Sequence, residues 1–135
     1  MINEERIKFL SQKIMEYSVE LNLLLGGDNS REIRVQGEWV KKLAEEIFGV
    51  KDITERNKKT KKLTRKESVV SARHASRFLM GRFTDLTQVQ IGKITGATEH
   101  SVISNSILAA KKLIQSDEEF RNKIMQCIFR IQASR

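Results

Sequence analysis

Residues Ile91 to Ser106 read Ile-Gly-Lys-Ile-Thr-Gly-Ala-Thr-Glu-His-Ser-Val-Ile-Ser-Asn-Ser, and this stretch decides the fold. Ile91 and Ile94 stand at helical spacing, Gly96 interrupts the pattern, and a second helical pattern runs from Glu99 to Ile114 with Ile103, Ile107, Ala110 and Ile114 as its buried stripe. A helix, a short turn holding glycine and a second helix make a helix-turn-helix. On a period of 3.6 residues the stripe leaves Glu99, Ser101, Val102, Asn105 and Ser106 on another side. That side is rich in small side chains with hydrogen-bonding groups, which let a helix backbone come close to whatever it faces.

The segments around this pair are helical too. Thr64-Arg-Lys-Glu67, Thr87-Gln-Val-Gln90 and Ser116-Asp-Glu-Glu119 each fit the capping box, in which a Ser or Thr oxygen takes the N3 amide and a Glu or Gln returns to the cap amide. They predict a helix 64–83 burying Val69, Ala72, Ala75, Leu79 and Phe83, with Glu67 as part of its cap. They also predict a helix 87–95 burying Val89, Ile91 and Ile94, and a helix 117–131 burying Phe120, Ile124, Ile128 and Ile131. Upstream, a helix 37–48 has Trp39, Leu43 and Ile47 on its apolar side and Gly49 to end it, with a short helical turn following near Asp52. Ile7, Leu10, Ile14, Tyr17, Leu21 and Leu24 mark a further amphipathic helix over about 3–25, stopped by Gly26-Gly27. The chain has no proline, and its one alternating run, Glu32 to Val35, is too short for a strand of a sheet and reads as an extended connector. The expectation is an all-α protein, a helical bundle with a helix-turn-helix plus an extra N-terminal amphipathic helix. Residues 1–37 form the N-terminal helix and connector, and residues 38–135 the helix-turn-helix domain.

The charge says what the second helix faces. The net charge is +8, yet residues 1–37 hold five Lys/Arg against six Asp/Glu, and residues 56–82 hold ten basic side chains with Glu67 the one acid among them. Such a density attracts a polyanion, nucleic acid or an anionic membrane surface. No apolar run, Leu23-Leu-Leu25 included, is long enough to span a bilayer, and the acidic start, Met-Ile-Asn-Glu-Glu, is unlike a secretory signal. One cysteine, Cys127, permits no internal disulfide, which fits a cytoplasmic protein. Together with the helix-turn-helix pattern, the basic stretch makes double-stranded DNA the expected partner. The candidate base-contacting residues are Glu99, His100, Ser101, Val102 and Asn105, since carboxylate, hydroxyl, amide and methyl groups each match a base edge. Thr98 is the expected N-cap of that helix. The candidate backbone-binding residues are Lys58, Lys59, Lys61, Lys62, Arg65, Lys66, Arg73 and Lys93. Arg73 has two open roles, a phosphate contact or a structural pairing with Asp85. With two histidines and one cysteine at no ligand spacing, neither a metal site nor a cofactor is expected, and no catalytic residue is assigned, because Glu99 and His100 point about 100° apart on a helix with no nucleophile beside them.

The order of these pieces resembles the C-terminal, box-reading domain of the bacterial replication initiator DnaA, a Trp-repressor-like helix-turn-helix. The residues that carry the resemblance are Ile47-Phe-Gly-Val50, the basic run 56–66, Ala72-Arg73, Ile91-Gly92, Gly96-Ala-Thr-Glu-His-Ser-Val-Ile103, Lys112-Leu-Ile and Asp117-Glu-Glu-Phe-Arg121. They span about residues 38–131. Where the family's signature reads Gly-Gly-Arg-Asp-His-Thr-Thr-Val, this chain keeps His100, lengthens the carboxylate to Glu99, keeps the hydroxyl at Ser101, lacks the cation at Thr98 and has Val102 in place of a hydroxyl. The resemblance implies sequence-preferring binding of duplex DNA in replication or its control, in the cytoplasm. The Gly-x-x-x-x-Gly-Lys-Ser/Thr phosphate loop of an ATPase is absent from the sequence.

Two alternatives stay open. The N-terminal helix packs on its own domain or pairs with a second copy as a homodimer spanning two half-sites. And the fold can serve as a protein-interaction module without DNA reading. Single-strand binding lacks a stacking platform, because Trp39 and Phe48 are expected inside.

Overall fold

The computed structural model describes residues 35–134, together with residues 4–6 and 8, which are helical. Between 35 and 134 the chain forms five helices: α1 Gly37–Phe48, α2 Glu67–Phe83, α3 Gln88–Thr95, α4 His100–Ser116 and α5 Glu118–Ala133. The class is all-α as expected, and among the described residues the sole β feature is an isolated bridge between Arg56 and Leu63. The apolar stripe expected over 3–25, and the homodimer built on it, lie outside the described residues.

The middle of α2 is buried almost all round, from Ala72 and Arg73 through Ser76, Arg77, Phe78, Leu79 and Met80, which makes it the central helix. It packs against α1, α3 and α4, while α5 closes the bundle over α4 and α1. Val40, Ile53, Leu79, Met80, Ile91, Ile103, Ile114, Ile124 and Ile131 form the innermost core. Each expected apolar position of the second, fourth and fifth helices is inside except that Ile107 is half-buried.

Helix ends follow local chemistry, not always as expected. Thr87 and Gln90 form the full capping box at the start of α3. The other two boxes are corrected. Before α2 the Thr64 box does not form: the helix begins at Glu67, whose carboxylate sits in the first turn where the helix dipole favours it, and no side chain caps it. Before α5 the cap is Asp117, which accepts from Phe120 N at 3.1 Å, while the Ser116 hydroxyl turns back to Lys112 O at 2.9 Å. The helical turn expected near Asp52 is a side-chain-capped turn, in which Asp52 accepts from the Thr54 amide at 2.8 Å and hydroxyl at 2.6 Å. The Val35 amide bonds Phe83 O at 2.9 Å, so the folded body includes this connector residue.

Two apolar residues expected inside are outside. Trp39 is 37% exposed and Val89 is 47% exposed. In α1 the next residue, Val40, takes the core position, and in α3 Ile91 is the fully buried apolar side chain. Among the described residues no helix is long and apolar enough to cross a membrane.

Candidate nucleic-acid interface

α3 and α4 are joined at Gly96–Glu99, and two glycines fix the angle. Gly96 ends α3 in the left-handed region at φ 88°, which L side chains rarely adopt. The Ala97 amide then bonds Gly92 O at 2.8 Å, and a Cβ on Gly92 would lie 2.7 Å from Ala97 O. The turn therefore presses backbone on backbone at Gly92. Glu99 rather than Thr98 is the N-cap of α4, with no side-chain bond to the helix.

Beneath this pair lies a polar clasp. The Arg77 guanidinium of α2 is buried and reaches both later helices: Nε to Thr95 Oγ1 at 2.9 Å, Nη2 to Thr95 O at 3.3 Å and Nη1 to Ser106 Oγ at 3.3 Å. Burial, then the neighbouring Arg73, lowers its pKa to about 10, so it remains protonated at neutral pH. His74 Nδ1 meets the same Ser106 hydroxyl at 2.5 Å, and burial first, then Arg77 and Arg73, holds its pKa below the usual histidine value. A neutral ring accepting through Nδ1 lets Ser106 donate to His74 while it accepts from Arg77. Ser106, placed on the exposed side from the sequence, is thus corrected: it is 2% exposed and pins α4 to α2. It stands three residues after Ile103 and four before Ala110, on the edge of the buried stripe, so the spacing already held the signal.

The remaining candidates on α4 are open to solvent: Glu99, His100, Ser101, Val102 and Asn105 are all exposed. Ser104 is exposed as well but faces α3, where Gln88 Nε2 donates to its hydroxyl at 3.2 Å. Leu108 continues the exposed side and was not singled out from the sequence.

The basic run is an ordered turn. Asn57 Oδ1 accepts from the Lys59 and Thr60 amides at 2.8 and 3.2 Å, the Lys61 amide bonds Asn57 O at 2.8 Å, and the Asn57 amide bonds Lys62 O at 2.8 Å. Lys61 takes φ 59°, and Arg56 Nη1 donates to its carbonyl at 3.0 Å. Lys58, Lys59, Lys61, Lys62, Arg65 and Lys66 all project into solvent, as does Lys93 on α3.

Arg73 does not belong with them. It is buried, with Nε on Ile53 O at 2.9 Å and Nη2 on Thr64 O at 3.2 Å, so it clamps the basic segment to α2 through these carbonyls rather than through Asp85. Glu45 assists from α1, accepting the Ile53 amide at 2.8 Å and Lys41 Nζ at 3.0 Å. Leu63 then docks the segment on the helix turn: its Cδ2 lies 3.0 Å from where a Cβ on Gly96 would stand. The basic segment is in this way packed at the turn that leads into α4.

No protein-family model matches the chain. It is similar to the chromosomal replication initiator protein DnaA of Borrelia turicatae, 33% identical over 75 residues, which is 56% of this chain and 16% of that protein. Over 68 residues it is 34% identical to DnaA of Borreliella burgdorferi, covering 50% of this chain and 14% of the initiator. DnaA of Borreliella afzelii is 32% identical over the same length, 68 residues. The chain contains a DnaA-like region and spans less than a fifth of the length of the relatives it matches.

Proposed function

We propose that the chain binds double-stranded DNA with sequence preference and acts in replication initiation or its regulation, as a binder without a catalytic step. Its DnaA-like region corresponds, on this reading, to the initiator's C-terminal DNA-binding domain. α4 enters the major groove and presents Glu99, His100, Ser101, Val102 and Asn105 to base edges. Lys58, Lys59, Lys61, Lys62, Arg65, Lys66 and Lys93 neutralise phosphates on either side. The observation that carries this reading is that Leu63, at the end of the cation-bearing turn, packs at Gly96 in the turn that leads into the exposed start of α4.

The test is fluorescence anisotropy of the full chain on an initiator-box duplex, a scrambled duplex and the matching single strand, at low and physiological salt. Tighter binding to the box duplex that survives salt supports the reading. Equal duplex binding that collapses with salt confines it to phosphate contact, and no duplex binding at low salt ends it. A second reading, a protein-interaction module, draws on Trp39 and on Phe129, which is 48% exposed on α5, outside the helix-turn-helix pair. Lys61→Ala, Lys62→Ala and Arg65→Ala together weaken DNA binding on the first reading and leave partner affinity unchanged on the second.

A further inference from the structure

Trp39 is the single tryptophan of the sequence, and it stands 37% exposed on the first turn of α1. Gly37 faces the bundle there, since a Cβ on it would meet Leu86 Cδ1 at 2.5 Å and Ile94 Cδ1 at 2.8 Å, so the indole two residues on is directed to another side. On the helical period that side also carries Glu46, which accepts from Arg130 Nη2 at 3.4 Å. The open side of α1 thereby borders α5, where Phe129, next in the chain to Arg130, is exposed as well. Neither aromatic belongs to the core or to the side chains packed against it.

The chain enters the body four residues before the indole, at Val35, whose amide is held by Phe83 O. Upstream the sequence places Ile7, Leu10, Ile14, Tyr17, Leu21 and Leu24 at helical spacing. Glu4, Glu5 and Lys8, on the polar side of that row, are helical and exposed. An amphipathic helix is marginal alone in water and is stabilised by burying its apolar row. Charge does not direct this one to a polyanion, because residues 1–37 hold five Lys/Arg against six Asp/Glu. Its reach is short: residues 26–34 span at most about 30 Å when fully extended, and Trp39 lies roughly 10 Å beyond Val35. A tether of that length keeps the row at an effective concentration on the order of millimolar beside α1, which a second copy matches only when the protein itself is that concentrated.

We propose that the apolar row of residues 7–24 docks on the body of its own chain over Trp39, on the side of α1 that borders α5. The occupant of this surface is thus a segment of the same molecule, and Trp39 is withdrawn from what a separate protein could grip. The inference does not depend on what the basic turn and α4 bind.

The experiment uses the full chain and the emission of its one indole, with acrylamide as a quencher that the protein's charge neither attracts nor repels. The expected emission of the parent at micromolar concentration is blue-shifted and weakly quenched. Leu10→Asp with Ile14→Asp shifts it to the red and raises the quenching constant toward that of free tryptophan, whereas Ser11→Asp with Gln12→Asp, the same added charge off the row, leaves both unchanged. In the reverse direction Trp39→Ser speeds tryptic cleavage after Lys8 and Lys13 without lowering the melting temperature, because the indole is outside the core. A parent indole that is red-shifted and freely quenched overturns the proposal, as does protection that survives Leu10→Asp with Ile14→Asp, or cleavage that Trp39→Ser leaves unchanged. Protection that appears only as the protein is concentrated, in step with a dimer in sedimentation, assigns the cover to a second copy and overturns the contact within one chain.

Discussion

Single atoms decide whether the α3–α4 turn can form. A Cβ at Gly92 meets the Ala97 carbonyl at 2.7 Å, a contact with backbone that no rotamer relieves. Gly92→Ala is expected to lower the stability of the protein by about 1–3 kcal/mol, the usual cost of overpacking a tight contact, as measured by urea denaturation. Ser106→Ala is expected to cost about 1–3 kcal/mol as well, because it deprives buried Arg77 and half-buried His74 of a shared partner. His74 also gives the protein a pH dependence. Its folded pKa lies below the ordinary histidine value of 6.5, so as the pH falls below that value the unfolded chain takes up a proton that the folded ring refuses. Stability therefore declines from about pH 6.5 downward until the folded pKa is reached, and above 6.5 this residue contributes no slope. Melting temperatures of the parent and of His74→Gln between pH 7 and pH 5 check this; the variant is expected to show the flatter profile.

Among the elements, the basic turn separates two kinds of cation that look alike in the sequence. Removing Lys61, Lys62 and Arg65 together is expected to make the slope of log K against log salt shallower by about 3, with an unchanged melting temperature, since all three are exposed. Arg73→Ala is expected to do the reverse. It strands the Ile53 and Thr64 carbonyls and lowers stability by about 2–3 kcal/mol, while at temperatures where the fold persists the salt slope is preserved. Nothing in periodicity distinguished these roles for Arg73, because the carbonyls it holds come from a segment with no regular pattern. The helices themselves were legible, since Ile103, Ala110 and Ile114, or Phe120, Ile124 and Ile131, repeat on the helical period and have only one way to be buried. Caps were less so: Thr64 and Ser116 satisfy the letter pattern, but the Thr64 amide is drawn into the basic turn by the Glu55 carbonyl at 2.9 Å, and Asp117, one residue after Ser116, is the cap that accepts the Phe120 amide. Trp39 and Val89 were misplaced because a large apolar residue at the edge of a stripe reads the same whether the core has room for it or not.

For the whole molecule, the bundle holds its one thiol as a sensor of unfolding. Cys127 is fully buried on α5, and burial pushes its pKa up to about 12, so the thiolate that reacts with alkylating reagents is absent from the folded protein at neutral pH. Labelling of the native chain is expected to be slow and to accelerate across the urea transition in step with loss of helical circular dichroism, and fast labelling without denaturant would show that α5 opens separately. The charge is arranged at the same scale, with ten basic side chains between residues 56 and 82, of which α2 buries Arg73 and Arg77 and leaves the turn to carry the field outward.

The contact of Leu63 with Gly96 makes the protein a calliper. Its two jaws, the lysine-bearing turn and the exposed start of α4, are joined through a side chain packed at the Gly96 backbone and through the Arg73 clamp behind it. On the proposed reading a duplex has to present phosphates and base edges at both jaws together, and one of different groove width or twist has to be deformed to fit. On that reading the packing of one turn is also a criterion of DNA shape, applied at base pairs that no side chain touches.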